Sequence, residues 1–192
     1  MYKNVSKYNI FTPLNFDMKS SLFFIVMVFF LNFSFAQEKA DVFDIARKGT
    51  LAEAKNCVKL NPKAFNVVNP EGYSPLILAS YRNNIEVAEF IIENGGDING
   101  NSNMGTPLMA AIVKGNNEIA KILIDKKADV NLADANGTTA LIYATMFKNI
   151  EIVTLLIKKS ANPYLKDNRG NSALDYAILA DNDKLIETLK TK

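Results

Sequence analysis

Four short segments of this chain, "SPLILAS" (74–80), "TPLMAAI" (106–112), "TALIYAT" (139–145) and "SALDYAI" (172–178), recur at spacings of 32, 33 and 33 residues. A fixed period of this length means copies of one supersecondary unit, each too small to bury its own apolar face, so the fold has to be a stack. Companion segments keep the same order: "IEVAEFII", "NEIAKILI", "IEIVTLLI" and "DKLIETLK". Between them lie "NGGDIN", "KKADVN" and "KSANPY", leading into polar turns such as "DANGT" and "DNRGN".

Each piece has a local physical reading. Ser74, Thr106, Thr139 and Ser172 precede apolar stretches, where a hydroxyl can accept a hydrogen bond from a free N–H at a helix start. Pro75 and Pro107 take the first helical position, where a missing N–H costs nothing. Leu76, Ala79 and Ser80, like Leu108, Ala111 and Ile112, then share one helical face, and the small alanines let neighbouring helices approach closely. The first helix of each unit should end near Gly49, Asn83, Gly115, Lys148 and Asp181 in a left-handed turn, which the last two fit less well. A second helix follows, its buried face marked by Val87, Ala88, Ile91 and Ile92, and again by Ile119, Ala120, Leu123 and Ile124 and by Ile152, Val153, Leu156 and Ile157.

These linked motifs resemble the ankyrin repeat, whose pattern runs T-P-L-H-x-A-A, a short apolar helix, G-A-D-V-N, then D-x-x-G before the next T-P-L. The resemblance covers residues 66–192 as four units and adds a degenerate unit, "ADVFDIARKGTLAEAKNCVKLNPKAFN", at 40–66. It implies an all-α ankyrin-repeat solenoid of about five helix-turn-helix units, at 40–66, 67–101, 102–134, 135–167 and 168–192. Charged residues of the first pair, such as Asp44, Arg47, Lys48 and Glu53, and the closing "DNDKLIETLKTK" suit the polar outer faces of end units. The sequence also departs from the family. The usual histidine is replaced by Ile77, Met109, Ile142 and Asp175; apolar packing should substitute in the middle units, and Asp175 makes a capping-box pair with Ser172. Lys127 and Ser160 stand where Gly95 ends an equivalent helix, and should strain those turns modestly. One residue is missing around "NSNMG", so that turn should differ in shape.

Ahead of the repeats, "SLFFIVMVFFL" (21–31) is an apolar run of signal-peptide rather than membrane-spanning length. Lys19 precedes it, and Ser34 and Ala36 supply the small residues that fit cleavage before Gln37. We therefore expect residues 1–36 to be a leader and signal peptide with the true start at Met18, and residues 37–192 to be the exported domain, periplasmic or secreted. The alternative is a membrane-tethered scaffold in which Leu22–Leu31 is never cleaved. Taking away the leader removes three of the 22 basic and one of the 20 acidic residues, leaving 19 of each and a net charge of zero. Without a basic excess, nucleic acid is not an expected partner.

Chemistry is sparsely represented. With no histidine, Ser-His-Asp and Cys-His catalysis are impossible, and a conventional zinc site has too few soft ligands. Cys57 is the one cysteine, and its helical spacing with Ala54 and Val58 reads as a buried small side chain. Asp181 and Asp183 read as a solvated cap. "DINGNSN" sets Asp97, Asn99, Asn101 and Asn103 at alternate positions like the start of a calcium loop, but lacks the glycine at the sixth position and the glutamate at the twelfth. No glycine-rich phosphate loop occurs. The chain is expected to be non-enzymatic, to hold no metal or cofactor, and to be monomeric.

In proteins that this chain resembles, the turn tips and exposed sides of the first helices line a concave face that binds other proteins. Carried over, this implies tip residues Glu71, Tyr73, Met104, Asn136, Thr138 and Arg169, with Tyr81, Arg82, Lys114 and Phe147 at the first-helix ends, contacting one or more unidentified proteins. Exposed aromatic side chains beside arginine have the composition of a binding hot spot. Val113, Met146 and Leu179 recur at the repeat period, which fits either exposure on this face or packing between units. Some exported bacterial ankyrin proteins look like companions of extracytoplasmic enzymes, including peroxide-detoxifying ones, so the resemblance also implies a stabilising or inhibitory companion.

Overall fold

The structure, a computed structural model, describes residues 41–103 and 105–190. The expected leader, its cleavage site and the candidate contact residue Met104 lie outside the described residues. Ten helices occur among those described: α1 (Val42–Lys48), α2 (Leu51–Leu60), α3 (Pro75–Arg82), α4 (Ile85–Glu93), α5 (Pro107–Val113), α6 (Asn117–Asp125), α7 (Ala140–Met146), α8 (Ile150–Lys158), α9 (Ala173–Leu179) and α10 (Asp183–Lys190). None is long and apolar enough to cross a membrane. They form five antiparallel pairs. Each odd-numbered helix packs on the odd-numbered helices before and after it, and each even-numbered helix does the same in its own layer, as an all-helical solenoid requires.

The helix starts follow from the caps. The hydroxyls of Ser74, Thr106, Thr139 and Ser172 accept from the N–H groups of Ile77, Met109, Ile142 and Asp175 at 3.2, 3.4, 3.3 and 3.2 Å. The Asp175 carboxylate returns a bond to the Ser172 N–H at 2.9 Å, completing the capping box. Thr50 and Glu53 build another box at the start of α2. Both boxes hold the acid in its charged form: backbone N–H bonds from Ser172 and Thr50 lower the Asp175 and Glu53 pKa values below the ordinary carboxylate range.

The core runs along the seam between the two layers. Ala46, Ala79, Ala111, Ala144 and Ala177 are each fully buried at one register of the odd-numbered helices. A larger side chain there would hold the layers apart. Leu76, Leu108, Leu141, Ile91, Leu123, Leu156 and Leu185 fill the seam, each adding about 1.5–3 kcal/mol by burial. Ile77, Met109 and Ile142, which replace the family's histidine, are buried among them. Ile92 and Ile157 are only half-buried, and Cys57 is likewise half-buried against the core rather than enclosed as its spacing implied. That face of α2 belongs to the first pair, with a neighbour on one side only.

Left-handed residues close most helices: Asn83 (φ 61°), Gly115 (71°), Lys148 (54°) and Asp181 (48°) after odd-numbered helices, and Gly95 (79°), Lys127 (67°) and Ser160 (66°) after even-numbered ones. For the lysines, serine and aspartate this costs about 1 kcal/mol each. Gly49 is a correction to the expectation from sequence. Its backbone is extended (φ −78°, ψ 172°), and glycine is needed because a Cβ would stand 2.6 Å from the Ile45 Cα.

Candidate binding surface

The loops that enter α3, α7 and α9 share one construction. In each, the first residue's N–H donates to a carbonyl four residues on, and a glycine N–H donates back to its carbonyl: Asn69 with Tyr73 and Gly72, Asp134 with Thr138 and Gly137, Asp167 with Asn171 and Gly170. The side chain of that first residue stiffens the loop. Asp134 Oδ1 accepts from the N–H groups of Asn136 and Thr138, both at 2.8 Å, and Asp167 Oδ1 from those of Arg169 and Asn171 at 2.9 and 3.0 Å. The loop entering α5 lacks one residue and closes instead between Ser102 and Gly105, whose N–H groups exchange bonds with each other's carbonyls. The missing residue therefore changed the turn's shape, as the spacing indicated.

Two tyrosines bolt these loops to the helices behind them. Tyr143 donates its hydroxyl to Asp134 Oδ2 at 2.7 Å, and Tyr176 donates to Asp167 Oδ2 at 2.6 Å. Burial, the bond to Asp134 and its charge push the Tyr143 phenol up to about 12. The Tyr176 hydroxyl and the loop N–H groups hold Asp167 below the usual carboxylate range. With all these bonds, Asp134 holds the loop and its helix together. The signal for this pair is plain in retrospect: tyrosine follows aspartate by nine residues in both "DANGTTALIY" and "DNRGNSALDY".

The equivalent helix positions in α3 and α5 hold Leu78 and Ala110. Beside them a groove of about 420 Å³ opens, lined by Tyr73, Tyr81, Arg82, Asn136, Tyr143 and Arg47 among others. The Lys114 ammonium lies 4.8 Å and the Arg82 guanidinium 5.9 Å from the centre of the Tyr81 ring, within cation–π range. The groove thus gathers four of the candidate contact residues, Tyr73, Tyr81, Arg82 and Asn136, and Lys114 joins them through the Tyr81 ring. Glu71 is exposed at a separate hollow between loop tips, with Asn101 and Asn103. Arg169 is exposed on the α9 loop and Phe147 is 54% exposed beyond α7. Thr138 is a correction. At 8% exposure, with its N–H and carbonyl both used inside the loop, it is buried and shapes the turn rather than standing exposed at the tip.

Val113, Met146 and Leu179, for which sequence left two readings open, are 37%, 46% and 72% exposed. With Tyr81 they form a row on successive odd-numbered helix ends. A larger hollow of about 990 Å³ beside Thr154, Ile157, Pro163 and Leu189 contains none of the candidate residues.

Asparagines fix the spacing of this row, a role that sequence reading missed. Asn84 Nδ2 donates to the carbonyls of Ile45, Ala46 and Gly49 in the preceding unit, and Asn116 Nδ2 to those of Ser80 and Tyr81. These carbonyls lie at helix ends, and apart from that of Ile45, which also accepts from the Gly49 N–H, they lie past the last intrahelical bonds. The alternating "DINGNSN" residues are similarly occupied: Asn99 accepts from the Asp129 N–H, and Asn101 donates to the Ala133 carbonyl. They point to the next unit and not to a common centre. The recurrence of Asn84, Asn116, Asn149 and Asn182 at the repeat spacing was the available signal.

Comparison with known families places residues 43–134 and 127–192 under a model described as ankyrin repeats (3 copies). No curated protein matches the chain.

Proposed function

The chain belongs to the ankyrin-repeat family, whose members are generally non-enzymatic protein-binding modules, and we propose that it is an exported adaptor or companion that grips another protein with its odd-numbered helix ends and the adjoining groove. The carrying observation is the row itself: Tyr81, Val113, Met146, Phe147 and Leu179 expose apolar surface side by side on a framework held rigid by buried alanines and asparagine bonds. Isolated exposed apolar residues are ordinary, whereas a row on consecutive repeats is the pattern of an interface.

Affinity capture from the native compartment with the double variant Tyr81→Ala/Phe147→Ala tests this. Both side chains are exposed, so helical circular dichroism should be unchanged while capture of the partner is lost. Undiminished capture by the folded double variant contradicts the proposal.

Export rests on the apolar run 21–31 and the small residues Ser34 and Ala36. Fractionation followed by N-terminal sequencing should give soluble protein beginning at Gln37. Full-length protein in membranes would instead support the tethered scaffold, with the same binding row held at a membrane surface.

A further inference from the structure

The row is not uniform along the stack. The two residues preceding each left-handed or extended helix end are Arg47 and Lys48, then Tyr81 and Arg82, then Val113 and Lys114, then Met146 and Phe147, then Leu179 and Ala180. Cations dominate the first three ends and apolar side chains the last two. The position beyond adds Asn83 and Gly115 to the basic half, and Lys148 and Asp181, of opposite charge, to the apolar half.

Within the basic half, Arg47 and Lys48 share a counterion, Asp44, at 3.1 and 4.0 Å. Arg82 and Lys114 take part in no ion pair among the described residues, yet both are held within 5.9 Å of the centre of the one Tyr81 ring. Both cations sit beside one aromatic ring with no counterion of their own among the described residues, so an anion docking at Tyr81 is attracted by both and can gain charge-assisted bonds from them. Asp134 also lines the groove but is buried at 7% exposure within its own loop, and it forms no ion pair with Arg82 or Lys114 among the described residues.

We propose that Arg82 and Lys114 form a carboxylate-reading site, and that the partner segment is acidic at the end lying over α3 and α5 and bulky and apolar at the end lying over α7 and α9. This rests on the protein-binding reading and names the chemistry of the segment bound. A nucleic acid backbone fits less well, because it carries charge at every step and the ends of α7 and α9 offer it one cation, Lys148, against the acidic Asp181.

The test is selection of a random dodecapeptide library on the immobilised full chain, followed by titration of the enriched peptides. Enriched sequences should carry at least two Asp or Glu residues close to Leu, Phe or Tyr. Affinity should fall roughly tenfold in Arg82→Gln/Lys114→Gln, the loss of a charge-assisted contact, and the difference should shrink as added salt shortens the screening length. Enriched peptides without carboxylates, or equal binding by the folded charge variant, would overturn the carboxylate site. If those same peptides are lost on Tyr81→Ala/Phe147→Ala, the general protein-binding reading survives. No enrichment on wild type would contradict both. A single-stranded DNA dodecamer binding more tightly than the peptides at the same salt would overturn the assignment to protein carboxylates.

Discussion

The two halves of the stack solve one problem differently. In the α7 and α9 units a tyrosine hydroxyl ties the helix to the aspartate that organises its loop, and the ring occupies the space between them. In the α3 and α5 units Leu78 and Ala110 stand at the same register, Asn69 and Ser102 begin the loops, and the α5 loop is a residue shorter. Where tyrosine packs against its loop in one half, the smaller side chains of the other leave a groove that runs up to Tyr143. A repeat architecture sums similar units, so a difference at one register changes local surface without changing the stack. The C-terminal units contribute rigidity at this position, and the N-terminal units contribute a place to bind.

Breaking the comparison at its glycines should have the largest effect. Gly137 and Gly72 have the same place in their loops and similar φ values, 74° and 85°. A Cβ at Gly137 would stand 2.9 Å from Asn168 Oδ1 and 3.1 Å from both the Asn168 N and the Asp167 Cα, whereas one at Gly72 meets nothing within 4 Å. Gly137→Ala should therefore cost about 2–3 kcal/mol and Gly72→Ala about 1 kcal/mol, read from urea denaturation midpoints.

Removing the tethers comes next. Tyr143→Phe and Tyr176→Phe each delete a hydroxyl–carboxylate bond and should cost about 1–2 kcal/mol apiece. In the untethered half, Ser80 presents a small effect of opposite sign. Its hydroxyl is fully buried and has no hydrogen-bond partner among the described residues, so Ser80→Ala should raise stability by about 1 kcal/mol; destabilisation would show that the hydroxyl is satisfied.

The last way to sharpen the comparison is a titration. The folded state favours the neutral phenol of Tyr143, so this contribution to stability is complete below pH 10 and is lost as pH rises from 10 towards 12. Phenolate absorbance should show one group titrating near pH 12, absent from Tyr143→Phe. Its persistence in the variant would assign the shift to another tyrosine.

Repeats, caps and the buried faces of α4, α6 and α8 could be read from sequence because each depends on residues within one helical turn of each other, and the period repeated the message. Gly49 and Thr138 were misread although their partners are close in sequence, because each depends on a backbone conformation that residue types do not display: an extended helix end packed on the Ile45 backbone for the first, and a loop closed on Asp134 for the second. The asparagine bonds to neighbouring units, which span 35 to 39 residues in sequence, and the sharing of the Tyr81 ring by Arg82 and Lys114 have no local signature. The candidate contacts were legible as a set of exposed helix ends and tips. Which of them converge was not, because convergence at the groove depends on Leu78 and Ala110 standing where Tyr143 and Tyr176 stand in the later units.

The central claim is that this open groove is where the partner sits, and Ala110→Tyr tests it most directly. Tyr143 and Tyr176 show that the register accepts a tyrosine, so the variant should keep its helical signal and melt close to wild type, with the new ring occupying the groove. Titrating a peptide enriched on the wild-type chain should then show binding reduced at least tenfold. Equal affinity for the folded Ala110→Tyr variant would place the partner elsewhere and contradict the account.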